Sequence, residues 1–293
     1  MARHAALTAA TLAGALMLAG CSGGSAAPDD GRPSIVAALY PLAYAAEQVA
    51  GGSARVSGLT PAGVEPHDLE LTAAQVAEIA QADLVLYIKG LQPAVDEAIA
   101  QQAADRALDV LDGLDVLVTG EATDPHVWLD PANLAVIGEA VAARLGEVDP
   151  VQAAAFSANA AALAAQMATL DLEYTDGLAT CASRDIVVSH AAFGYLANAY
   201  GLTQVGISGL SPDAEPSPAR LREVADLVRS TGTTTIYYET LVDPKIAQTL
   251  ADETGAATAV LDPLEGLAAG ASGNYASIMR ANLANLIAGQ GCS

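Results

Sequence analysis

Positive charge, aromatic rings and histidine are all scarce in this sequence. Lysine and arginine together number 12 against 34 acidic residues, leaving a formal net charge of −22. Nucleic acid is excluded as a partner, because its phosphate backbone would be repelled. An acidic exterior suits a soluble exported protein. Aromatic residues make up 4% of a chain that is 52% hydrophobic, so the core must be built from Ala, Val, Leu and Ile, and the alanine excess favours helices. There is no HExxH pair, and none of the 3 cysteines stands in a CxxC-like spacing. The commonest local zinc motifs are therefore missing.

The start of the chain carries a local signal. Arg3 and His4 precede an apolar stretch, Ala5 to Ala19, broken only by Thr8 and Thr11. It is too short to span a bilayer comfortably and predicts a signal peptide over residues 1–20. It ends Leu18-Ala19-Gly20-Cys21, which resembles a lipobox. This predicts lipidation of Cys21 and an extracytoplasmic protein anchored to the outer face of the cell membrane. Residues 21–33, rich in Ser, Gly, Ala, Asp and Pro, read as a flexible tether. An exported compartment permits disulfides, and a Cys181–Cys292 bridge is expected to clamp the C-terminus onto its lobe.

Beyond the tether, short apolar runs alternate with helical patterns. Ser34–Leu39, Ala54–Leu59, Leu84–Ile88 and Ala107–Leu111 read as strands, separated by helices over Leu42–Ala50, Thr72–Ala82 and Leu91–Ala104. Pro131–Leu145 is an alanine-rich helix. From about Pro150 to Asp176 a long helix is predicted, with Asp149 as N-cap, Pro150 in its first position and Gly177 at its end. The alternation then resumes, with strands at Asp185–Ser189, Gln204–Ile207, Thr233–Tyr238 and Ala257–Leu261. Strands separated by helices imply parallel sheets. The predicted fold is α/β: two lobes, residues 34–148 and 179–293, each with a mostly parallel sheet flanked by helices, joined by one long helix over 149–178.

After the leader, the only histidines are His67, His126 and His190. Each lies near the carboxyl end of a predicted strand or in a loop beside a helix start, where open parallel sheets bind ligands. Neutral imidazole is a natural zinc ligand, and three imidazoles with one carboxylate make a tetrahedral set. For the carboxylate, Asp262 follows the strand Ala257–Leu261, while Glu239 ends the strand Thr233–Tyr238 and Glu65 stands two residues before His67. Residue types and spacing leave these three open. The same histidines with an open fourth position would suit a zinc hydrolase, with Glu65 or Glu239 as base.

The segments EPHDLEL, DPHVWLDP, VVSHAAFGYLANAYGL, GLSPDAEPSP and AVLDPLEG, in that order, resemble the zinc-binding solute-binding lipoproteins of ABC importers, the ZnuA/TroA-like family. The likeness covers essentially the whole chain after the leader. It implies a monomeric, non-enzymatic protein that captures Zn2+ between two α/β lobes and delivers it to a permease driven by an ATPase. It also implies His67 and His126 as ligands from the first lobe, with His190 and Asp262 from the second. Manganese- and iron-binding relatives are the alternative, but His190 stands where the manganese binders usually have glutamate, and this favours zinc. Many zinc-binding members carry a long His-rich loop before the second ligand. Here residues 112–124 are short and free of histidine, and a solvated loop is expected. Protonation of the imidazoles should weaken metal binding below about pH 6.5.

Overall fold

In the first sheet, four parallel strands stand in the order β2–β1–β3–β4: β1 Ser34–Ala37, β2 Arg55–Gly58, β3 Leu84–Tyr87 and β4 Ala107–Asp109. Their connections are α1 (Tyr40–Ala50), α2 (Ala73–Gln81) and α3 (Pro93–Gln102). These coordinates are a computed structural model that describes residues 31–120 and 122–293. The expected signal peptide, the expected lipidation site Cys21 and the expected tether up to residue 30 lie outside the described residues. Ile35, Val36, Leu84, Val85 and Leu86 are buried, as expected of parallel strands covered on both faces.

The chain then forms a small antiparallel hairpin, β5 (Val118–Thr119) and β6 (Ala122–Thr123), where a plain loop was expected. A single 3-10 turn, Val127–Leu129, leads into α4 (Pro131–Val148) and α5 (Ala153–Gly177). At 25 residues, α5 is about 38 Å long. Its buried stripe of Phe156, Ala160, Leu163, Met167, Leu170 and Tyr174 follows helical spacing. The expected N-cap at Asp149 is corrected. Asp149 accepts from the Val151 N–H and shapes a turn, and the helix starts only after Gln152. Gly138 lets α4 and α5 touch, since a Cβ there would lie 2.7 Å from Leu163 Cδ2.

The second sheet has the order β10–β9–β7–β8: β7 Asp185–Val188, β8 Thr203–Gly206, β9 Thr235–Tyr238 and β10 Ala257–Val260, again all parallel. Helices α6 (Gly194–Tyr200), α7 (Pro218–Thr231) and α8 (Lys245–Thr254) connect them, and α9 (Tyr275–Gln290) closes the chain. Counted from each sheet's first strand, the two topologies are identical, although no sequence repeat links them. Both sheets belong to one compact unit, Arg32–Ser293. One buried cluster runs from β1 and β3 through α4 and α5 to β7 and α9. A smaller one lies between β7, β9, α7 and α8.

Cys181 and Cys292, 111 residues apart, are joined as a disulfide. Beside it the Ser293 N–H donates to the Thr180 carbonyl. Closing a ring of that size removes much freedom from the unfolded chain and typically contributes about 2–4 kcal/mol. Reduction should lower the melting temperature by roughly 4–15 °C. An unchanged melt with two titratable thiols would show that the bridge adds no stability.

Candidate metal centre

His67 lies in the long loop between β2 and α2. Thr60 Oγ1 donates to the Ala38 carbonyl at 2.8 Å, Gln75 Nε2 to the Leu59 carbonyl at 2.7 Å, and Gln92 Nε2 to the Pro66 carbonyl at 3.0 Å. These bonds hold the loop over the carboxyl end of the first sheet. Glu65 accepts the His67 backbone N–H at 2.9 Å. Burial and the nearby charge of Glu265 push the Glu65 carboxyl up to about 8.

His126 precedes the 3-10 turn and is fully buried. Its Nδ1 is 2.7 Å from Asp124 Oδ1, which also accepts the His126 backbone N–H at 3.0 Å. Gly194 makes room for this carboxylate, because a Cβ there would lie 2.5 Å from Asp124 Oδ2. Tyr195 accepts from the Leu117 N–H and donates to the Asp124 carbonyl, tying the hairpin segment to α6.

His190 follows β7, where the chain crosses from β8 on one side of β7 to β9 on the other. Its Nδ1 is 2.7 Å from Glu239 Oε1, at the end of neighbouring β9, and its backbone N–H donates to the same oxygen at 3.0 Å. Both carboxylates accept an Nδ1 proton, which leaves the Nε2 lone pairs of His126 and His190 facing inward.

The three inward Nε2 atoms converge on one oxygen, Glu265 Oε1: His67 at 3.2 Å, His126 at 3.1 Å and His190 at 3.1 Å. The His126 and His190 Nε2 atoms are 3.3 Å apart. A regular tetrahedron has edges about 1.63 times its centre-to-corner distance, so zinc bonds of about 2.0–2.1 Å need donor spacings of about 3.3–3.4 Å. Four of the six donor spacings approach those edges, all four donor atoms lie within 4.8 Å of one another, and this donor chemistry suits zinc. Glu265 and the two inner imidazoles are almost completely buried, and His67 is the most exposed of the four at 9%. Among the described residues, this is the one cluster of ligating side chains that could hold a metal.

Electrostatics favours a cation at this centre. Burial alone would push His190 down, but the hydrogen bond and charge of Glu239, and then Glu265, push it up to about 10. In His126 the bonds to Asp124 and Glu265 likewise outweigh burial and raise it. Burial would raise Glu265, yet the three imidazoles hold it well below the usual carboxylate range. Three lone pairs and an ionised oxygen in so small a space need a proton or a metal between them.

The expected fourth donor, Asp262, is not brought to this centre. Its Oδ1 accepts from the Leu264 N–H at 2.8 Å and its Oδ2 from Thr240 Oγ1 at 2.9 Å. The strand-end position is taken by a turn-forming aspartate, and the turn carries Glu265 inward three residues later. The other two candidates also stand back: Glu239 holds His190 by Nδ1, and Glu65 holds the His67 backbone. Sequence reasoning missed Glu265 although it lies inside AVLDPLEG. The signal was Asp262-Pro263, a turn pair that reverses the chain just before the next acid.

The family model described as "ZnuA: Zinc-uptake complex component A periplasmic" matches residues 35–289. The chain is 37% identical to the zinc-binding lipoprotein AdcA of Streptococcus pneumoniae over 92% of its length, but spans 58% of that relative. It is 32% identical to the high-affinity zinc uptake system protein ZnuA of Bacillus subtilis, covering 92% of each chain. The solved Zn(II)-bound ZnuA-like domain of S. pneumoniae AdcA superposes with a TM-score of 0.78 at 38% identity, over 89% of this chain and 99% of that one.

Proposed function

The chain belongs to the zinc-uptake component A family, and from that premise we propose that it captures one Zn2+ outside the cytoplasm and hands it to an ABC importer. The cargo is held by His67, His126, His190 and Glu265. The observation that carries this reading is the convergence of three imidazole nitrogens and one carboxylate oxygen within 4.8 Å of one another. Four protein donors leave no open position for an activated water, which favours a carrier over a hydrolase. Delivery would be to a permease and its ATPase, by a monomer held to the membrane through lipidated Cys21. The first lobe, residues 34–148, supplies two ligands. The second, residues 179–293, supplies the other two, and residues 149–178 join the lobes.

Metal analysis of protein purified without added metal tests the reading. A single zinc per chain is expected, lost in a His126→Ala/His190→Ala double variant. Equal zinc in that variant would place the metal elsewhere.

A second expectation concerns Gly194. Its replacement by alanine puts a methyl 2.5 Å from Asp124 Oδ2, so Asp124 must turn off the His126 ring. Loss of such an outer partner lowers metal affinity by about 10–100-fold. Chelator competition measures it. Wild-type affinity in Gly194→Ala would mean that Asp124 does not orient His126.

A further inference from the structure

We propose that Asp262 is a positioning residue: it fixes the turn that aims Glu265 at the metal, and it couples that turn to the strand end holding His190. The inference rests on Glu265 being a ligand, as read above.

Leu264 is the only non-glycine among the described residues with a positive φ, at 55°. That conformation is unfavourable for a leucine, so its surroundings must impose it. The side chain is fully buried, which fixes one end. The other end is fixed by Asp262, whose Oδ1 accepts the Leu264 N–H at 2.8 Å. Between them, the Pro263 carbonyl accepts from Trp128 Nε1 at 2.7 Å, pinning the turn to the segment that carries His126.

Asp262 is itself gripped from two sides. The Asn282 side chain, 1% exposed, accepts the Asp262 N–H at 2.9 Å and donates to its carbonyl at 2.7 Å. Thr240 Oγ1 donates to Asp262 Oδ2 at 2.9 Å. Thr240 directly follows Glu239, the residue that orients His190. A short path therefore runs from the His190 ring through Glu239, Thr240, Asp262 and Leu264 to Glu265. The second lobe's two donors share one support.

A ligand and a positioning residue respond differently to amide replacement. A neutral amide is a poor zinc ligand, but its Oδ1 still accepts the Leu264 N–H. Zinc affinity should be measured by chelator competition in Asp262→Asn, Asp262→Ala, Thr240→Val and Glu265→Ala, with Co2+ absorption as a monitor of the donor set and thermal melts as a check on folding. The expected order is Asp262→Asn within about threefold of wild type, Asp262→Ala weaker by about 10–100-fold, and Glu265→Ala weaker still. The Co2+ band should be retained in Asp262→Asn and altered in Glu265→Ala. If Asp262→Ala does not fold, Thr240→Val decides. A severalfold loss supports the coupling, and wild-type affinity overturns it.

Wild-type affinity in Asp262→Ala, with Glu265→Ala impaired, defeats the positioning role and leaves the ligand set intact. A severe loss in Asp262→Asn, with Glu265→Ala near wild type, makes Asp262 the ligand and defeats both.

Discussion

Glu265→Ala should lower zinc affinity by well over 100-fold, more than the roughly 10–100-fold that follows loss of an outer-shell partner. The reason is charge as much as donor count. The centre is almost wholly buried, and a divalent ion there depends on nearby negative charge far more than it would in water. Among the described residues, Glu265 is the only carboxylate whose oxygen meets all three Nε2 atoms. Asp124 and Glu239 act one atom layer further out, through Nδ1. Glu265→Gln keeps the shape and removes the charge, so the difference between the two variants separates electrostatics from geometry. Competition against a chelator of known affinity is the measurement. A loss smaller than tenfold in Glu265→Ala would mean that three imidazoles suffice.

The second large effect is on pH. With unperturbed imidazoles, proton competition would fade above about pH 6.5. Here the carboxylates around His190 push it up to about 10, and His126 is raised as well. The metal-free centre therefore keeps a proton through the neutral range, shared toward Glu265, and zinc must displace it. Affinity should rise about tenfold per pH unit from near 7 to near 9, with at least one proton released per zinc. For the metal-free fold the sign is opposite. A raised imidazole stabilises the folded state fully below its unfolded value near 6.5, and that contribution is lost as pH climbs through about 10. Titration calorimetry in buffers of different ionisation enthalpy counts the protons. An affinity that is flat between pH 7 and 9 would contradict the raised imidazoles, and Glu239→Gln should move the profile toward that flat form.

Much of the architecture was legible because the strands carry apolar runs and the helices carry period-3.6 stripes. Leu84–Tyr87 and the Phe156–Tyr174 stripe fall where the pattern puts them. The three histidines were legible because so few exist and each follows a strand or precedes a helix. The proposed fourth donor was not, because a strand-end aspartate has two uses that look alike in one dimension. Asp262 caps a turn, and whether its oxygens face the turn or the cleft depends on Thr240 and Leu264, one 22 residues away in sequence. The hairpin Val118–Thr123 was missed because each of its strands is two residues long, below any periodicity. The helix start after Asp149 was misread because an Asx turn and an N-cap share the same residue preferences.

The unbroken buried cluster has a thermodynamic consequence. Because the larger cluster runs without a break from β1 and β3 through α4 and α5 to β7, and the smaller one packs on that same strand β7, the lobes should melt together in a single cooperative event. Any ligand that binds only the folded form then shifts that one transition, by about 4 kcal/mol when present at a thousand times its dissociation constant. Cargo occupancy and resistance to heat become the same quantity read on two scales, and the chain reports its own loading through its melting temperature.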